Sequence, residues 1–176
     1  MHDRPPWHVA VLQAAILDRL QDFDPRVVGT PPLGLAVEGS DIDVVCEAGD
    51  LLAFTTAVWT GFAEQEGFSV RQWRGEGRPV VARFCAHGWP FEIFGAARPV
   101  EEQAGWRHFT VERRLLALGG ERLRSAVMAY RASGLKTEPA FAAALGLQGD
   151  PYAALLTLYD CPDRSMPRLP GGGTGG

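Results

Sequence analysis

Residues 27–46, VVGTPPLGLAVEGSDIDVVC, constrain the fold more than any other part of the chain. An apolar pair, Val27-Val28, breaks at Gly29-Thr30, and a second apolar run, Val44-Val45-Cys46, follows Ser40-Asp41-Ile42-Asp43. Two short buried strands joined by a Gly- and Pro-punctuated connection fit this pattern. Side chains alternate along a strand, so Asp41 and Asp43 share one face while Ile42 and Val44 take the other. Neighbouring carboxylates repel, and core packing has no use for them. A divalent cation does: Mg²⁺ takes one or two carboxylates, keeps several waters and accepts phosphate oxygens for the rest.

The periodicity elsewhere supplies a frame for this stretch. Val9, Leu12, Ile16, Leu20 and Phe23 recur at helical spacing, which predicts one amphipathic helix ending near Asp24-Pro25. Asp50 is placed to cap a second helix whose buried stripe is Leu51, Phe54, Val58 and Phe62, with Gly67 as its stop. Strands are predicted over 68–73, 80–86 and 89–94, separated by Gly75-Glu76-Gly77 and His87-Gly88, both hairpin-turn signals. Helices follow over 100–118 and 122–133, with breaks at Gly119-Gly120 and Gly134. Two shorter ones begin at Thr137 and at Asp150-Pro151, a cap followed by proline at the first helical position. This order predicts an α/β (α+β) sheet flanked by helices, with a helical C-terminal subdomain. The expected division is a core over 1–98, a helical region over 99–160 and a disordered tail over 161–176, which ends PRLPGGGTGG.

Composition narrows the function classes. At 176 residues, 46% hydrophobic and 22% charged, the chain reads as one ordinary globular unit with a small appendage. No apolar run approaches the ~18–20 residues of a membrane span, and MHDRPPWH lacks the order of a signal peptide, so a cytoplasmic address is expected. Cys46, Cys85 and Cys161 are widely spaced and read as reduced thiols rather than a disulfide framework or a zinc site. A net charge of −4 argues against a surface that collects polyanions. Yet Arg107, Arg113, Arg114, Arg122, Arg124, Arg131 and Lys136 face only Glu112 and Glu121 over residues 107–136. That run is either a solvated helix face or a wall turned to phosphate. Lys136 is the single lysine among 17 basic residues, which suggests a need for a compact point charge.

Other candidates carry two readings each. Glu92, in Trp89–Phe94, either faces solvent from an edge strand or faces Asp41 and Asp43 across a metal. Gly29-Thr30 is either a tight turn or a place where backbone and hydroxyl approach a phosphate. Ser40 hydrogen-bonds locally or orients a carboxylate. His108, next to Arg107, is more readily structural than catalytic.

The opening stretch resembles the signature of the DNA polymerase β-like nucleotidyltransferases: a strand ending in Gly-Ser or Gly-Gly, a short helix, then Asp-x-Asp on the next strand. Gly29, Thr30, Gly34, Ala36, Ser40, Asp41, Ile42 and Asp43 fall in register with its small bacterial members. Thr30 stands where Ser is usual and keeps the hydroxyl. Leu33 stands where Arg is common and removes a phosphate contact. Gln103, Arg107-His108, Glu112, the run Gly134–Phe141 and Leu147-x-Gly149-Asp150-Pro151-Tyr152 are similar to a bacterial family of small nucleotidyltransferase-like proteins, a resemblance covering 26–158. It implies a nucleotidyltransferase-like mixed sheet, a third carboxylate at Glu92, and Mg²⁺ (or Mn²⁺) held by Asp41, Asp43 and Glu92. It further implies transfer of a nucleoside monophosphate from an NTP to an acceptor hydroxyl, with pyrophosphate released. Gly29, Thr30, Ser40, Lys136 and Arg107 are then expected to contact the nucleotide. The alternative is a catalytically degenerate fold acting as a nucleotide- or protein-binding module, including in a toxin–antitoxin setting. The sequence leaves the acceptor open among small molecule, protein and RNA.

Overall fold

Strands β1 (Arg26–Val28), β2 (Ile42–Glu47), β3 (Glu66–Gln72), β4 (Val80–Ala86) and β5 (Trp89–Ala96) form one sheet in the order β1-β2-β5-β4-β3. The computed structural model describes residues 4–74 and 77–169. It falls into two units, one running to Trp106 and the other starting at Arg107. Within the first, β2 and β5 pair in parallel and every other neighbouring pair is antiparallel. A parallel pair needs a long crossover, and here the intervening helix α4 (Leu51–Phe62) and the β3–β4 hairpin supply it.

Alternation decides what each face of the sheet buries. Ile42, Val44 and Cys46 on β2 join Ala82 and Phe84 on β4 and Phe91 and Ile93 on β5 in the core. Phe54, Val58 and Phe62 of α4 complete it, and the rings of Phe62, Phe84 and Phe91 stack in series at centroid separations of 4.8 and 5.1 Å. The Asp50 carboxylate caps α4 by accepting the N–H groups of Leu52 and Ala53, each at 3.0 Å. The helix ends at Phe62 rather than at Gly67, because β3 already begins at Glu66 in order to pair with Cys85.

The single N-terminal helix expected from periodicity is two helices, α1 (Trp7–Gln13) and α2 (Ile16–Arg19), followed by a 3-10 turn over Gln21–Phe23. Ala15 breaks them apart with a left-handed φ of 50°. The break lets Ala10, Val11, Ala14, Ile16 and Leu20 face the core together, while Leu12 is left 75% exposed. The β4–β5 turn is as the sequence implies: His87 and Gly88 both take positive φ (50° and 76°), the requirement of a two-residue I′ hairpin. Of the expected Gly75-Glu76-Gly77 turn, Gly75 and Glu76 lie outside the described residues.

The helical region comprises α5 (Ala104–Ala132), α6 (Thr137–Leu145) and α7 (Pro151–Leu156). Non-helical backbone at Gly120 (φ 57°, ψ −153°) interrupts α5 at the expected glycine pair. Asp150 caps α7 by accepting the Ala153 N–H at 2.8 Å. Of the region read as tail, residues 161–169 are described. They include a 3-10 turn at Asp163–Ser165 and a buried Met166. Arg114 holds that segment by pairing with Asp163 at 2.8 Å and donating to the Tyr159 carbonyl at 2.8 Å. Residues 170–176 lie outside the described set. No helix among the described residues is long and apolar enough to cross a membrane.

Candidate active site

The strand registers Val28↔Asp43, Asp43↔Glu92, Arg83↔Glu92 and Ser69↔Arg83 line up one row across the whole sheet. Register partners project from the same face. Asp43, Glu92 and Arg83 therefore stand together on the face opposite Ile42, Phe84 and Phe91. Asp41 precedes β2 at the same parity and is exposed, whereas Asp43 and Glu92 are half-buried.

Gly29 closes this row at its β1 end. Its backbone (φ 80°, ψ −163°) lies in a region open in practice to glycine alone. A Cβ there would collide with Oδ2 of Asp43 and stand 3.2 Å from its carboxylate carbon. The glycine thus satisfies two demands at once: a turn that no L side chain takes without strain, and a close approach that the Asp43 carboxylate itself fills.

Thr30 begins α3 (Thr30–Leu33) and is buried, with its carbonyl accepting the Leu35 N–H at 3.0 Å. Pro31 and Pro32 follow, so two of the first three N–H groups of this helix do not exist. The donor set at the turn is narrower than a helix start ordinarily offers. Ser40 is taken up locally: its Oγ accepts the Val37 N–H at 2.9 Å, and its own N–H donates to the Val37 carbonyl at 3.0 Å. Arg4 braces the same connection, donating to the Val37 carbonyl at 3.3 Å with its guanidinium 3.6 Å over the Trp89 ring.

Glu92 is ion-paired with Arg83, whose Nε and Nη2 both reach the same oxygen, Oε2. As the side chains stand, no three His, Cys, Asp or Glu among the described residues are grouped to hold a metal ion. The donor chemistry nevertheless suits one. Asp43 and Glu92 offer hard carboxylate oxygens from paired positions on one sheet face, Asp41 offers a third just before β2, and the missing Cβ of Gly29 gives the Asp43 carboxylate its place. Arg83 is the neighbour of Glu92 that the sequence reading passed over. A two-residue turn at His87-Gly88 pairs Ala86 with Trp89, and counting back three places pairs Arg83 with Glu92.

Arg107 and Lys136 belong to the second unit. Lys136 is exposed and stands at the start of α6, in a connection as expected. Arg107 lies 4.5 Å over the Tyr159 ring and 4.0 Å from the Asp160 carboxylate. Other distinctive residues of this half gather in its interior. The ring Nε2 of His108 donates to the Tyr152 carbonyl at 3.0 Å, which leaves Nδ1 3.9 Å from Oε1 of Glu138. Glu112 is buried, and Oε1 has no hydrogen-bond partner among the described residues. Burial first, and the charge of Glu138 second, push its carboxyl well above the usual range against an opposing pull from Arg131. Burial also pushes the Cys46 thiol up to about 12, with the charge of Asp24 adding to it.

Residues 9–158 match the family described as "Domain of unknown function (DUF4269)". No curated protein matches the sequence. Among solved structures, the chain is similar to the Cid1 poly(U) polymerase with MgGTP bound, at TM-score 0.53 and 16% identity over 72% of this chain and 40% of that one. It is also similar to a cytoplasmic RNA terminal U-transferase (TM-score 0.50, 16% identity, 71% of this chain, 37% of that one). A third likeness is to a chain of the GLD-2/RNP-8 complex (TM-score 0.52, 13% identity, 92% of this chain, 60% of that one). The chain spans 37–60% of the length of these neighbours. At such identities the likeness is one of fold: a mixed sheet flanked by helices, similar to nucleotidyltransferase folds.

Proposed function

The chain belongs to the family described as a domain of unknown function, DUF4269, and we propose that it is a divalent-metal-dependent nucleotidyltransferase of the DNA polymerase β-like type. It moves a nucleoside monophosphate from a triphosphate to an acceptor hydroxyl. The observation that carries this reading is the glycine turn pressed against Asp43, whose register partner on the parallel strand is Glu92. A cross-strand row of two acids beside a side-chain-free turn serves no packing purpose. Structural neighbours with MgGTP, MgATP and a UTP analogue bound support a ribonucleotide donor.

Asp41, Asp43 and Glu92 would hold the ions. When bound, these supply Lewis acidity to the triphosphate and lower the pKa of the acceptor hydroxyl. Gly29 keeps room for the Asp43 carboxylate, and the Thr30 hydroxyl with the Gly29 and Thr30 amides supplies neutral donors to phosphate. Ser40 shapes the connection that leads into Asp41. The acceptor oxygen bonds to the α-phosphorus as the bond to the bridging oxygen breaks. Pyrophosphate leaves with that electron pair, and the hydroxyl proton passes to solvent.

The test uses each α-³²P-labelled ribonucleoside triphosphate with Mg²⁺ or Mn²⁺ and three acceptor pools: RNA oligonucleotides, a protein extract and a small-molecule extract. Label should enter one pool with the wild-type protein and not with Asp43→Asn. If no pool is labelled and Mg²⁺ does not promote triphosphate binding, the nucleotidyltransferase reading is wrong.

A further inference from the structure

Arg83 has no part in the reaction as described, yet it holds Oε2, one of the two oxygens through which Glu92 could meet a cation. Both of its contacts fall on Oε2, from Nε and from Nη2. A carboxylate oxygen accepts about two hydrogen bonds in the plane of its group, so two N–H donors occupy the directions a metal ion would use. The arginine side chain is 58% exposed and the glutamate 24%. Exposed pairs of this kind are weak and are readily exchanged.

We infer that Arg83 is a positioning residue that competes with the divalent cation for Oε2 of Glu92, so that the third carboxylate joins the site only as the cation arrives; this rests on the proposed metal site. Two features support it. Arg83 shares the row of Asp43 and Glu92, so its charge lies on the metal-facing side of the sheet. Its exposure lets the guanidinium swing away without opening the core. A sheet-stabilising ion pair makes the opposite forecast: loss of Arg83 would cost stability and leave cation affinity alone.

The experiment titrates Mn²⁺ alone into the full chain and reads the free-ion signal by electron paramagnetic resonance, with thermal melts run alongside. Arg83→Ala should bind Mn²⁺ about two- to five-fold more tightly than wild type, the range that the strength of an exposed pair allows. Arg83→Lys should stay near wild type. Arg71→Ala, which removes a cation from the same face two places along β3, should change affinity less than Arg83→Ala. Asp43→Asn should lose binding. Should the alanine variant melt below assay temperature, Arg83→Gln keeps the side-chain stem and gives the same comparison. If wild type binds through Asp43 but Arg83→Ala does not bind more tightly, or if Arg71→Ala matches it, competition at Glu92 is refuted and the metal site stands. Absence of Mn²⁺ binding in both wild type and Arg83→Ala refutes the two together.

Discussion

Glu92 lies on the sheet face that carries Asp43, a quarter exposed and paired with Arg83, whereas Glu112 lies inside the helical unit at 3% exposure with one oxygen unmatched. The same functional group is handled in opposite ways. On the sheet, a guanidinium and access to water leave a carboxylate ready to exchange partners. In the helical interior, burial favours the protonated form, and the group serves local architecture beside His108, Glu138 and Arg131. An acid that is to hold a cation needs a replaceable partner; an acid that is to fill an interior needs a proton. The two faces of the sheet repeat the lesson. Ile42, Phe91 and Phe84 are locked into a packed core, and one residue along each strand Asp43, Glu92 and Arg83 face the other way.

The sharpest way to break this contrast is at Asp43. Asp43→Asn should lower nucleotidyl transfer by on the order of 10³-fold, since loss of a single charge-stabilising group commonly costs 10²–10³. Its melting temperature should stay within a few degrees of wild type, because the residue lies off the core face. A variant that loses stability and activity in proportion would make the row structural. On the opposite face, Phe91→Ala should cost about 3–5 kcal/mol in denaturant titrations, as expected for a buried aromatic. A cost below about 1 kcal/mol would contradict the stacked Phe62–Phe84–Phe91 core.

Gly29→Val should be intermediate, losing about 1–3 kcal/mol from its left-handed backbone alone and displacing the Asp43 carboxylate. Nucleotide binding, followed by fluorescence of a labelled NTP, should vanish in this variant. Unchanged affinity would return the segment to an ordinary turn.

For Glu112 the sign of the pH effect follows from the raised carboxyl. In the unfolded chain it ionises near ~4.3. Above that value the unfolded state has lost its proton while the folded state keeps it, so stability falls as pH rises until the folded group ionises too. Glu112→Gln abolishes that slope. The variant should match wild type near pH 4 and exceed it by about 1–3 kcal/mol towards pH 8, the scale of one uncompensated buried polar group. Equal stability across that range would mean that Arg131 already satisfies the carboxylate. The smallest effect is a labelling pattern. Iodoacetamide at pH 8 should modify exposed Cys85 quickly and leave Cys46 untouched until the protein unfolds, because burial denies Cys46 its thiolate.

Much of this was legible in the residues, and the limits have a common cause. Asp50 and Asp150 announce their caps, the Gly119-Gly120 pair announces the interruption of α5, and His87-Gly88 sets the β4–β5 register, which already contains the Arg83–Glu92 pair. These are short-range rules of backbone geometry and hydrogen bonding, complete within a few residues. The break at Ala15, the exposure of Leu12 and the early end of α4 were not legible, because each answers to what the packed sheet demands of a helix rather than to the helix's own preferences.

By itself the sequence determined that Asp41 and Asp43 stand two places apart at the start of a strand, that glycine stands before Thr30, and that Glu92 lies on a later strand. Only the tertiary structure decided that β5 lies parallel and adjacent to β2 with Glu92 opposite Asp43, and that the Gly29 turn presses on the Asp43 carboxylate. Alternation is a property of one strand and needs no partner. Parallel pairing across an intervening helix and hairpin has no local determinant: it is selected by the apolar face the sheet must bury, and the acids on the other face follow wherever that burial places them.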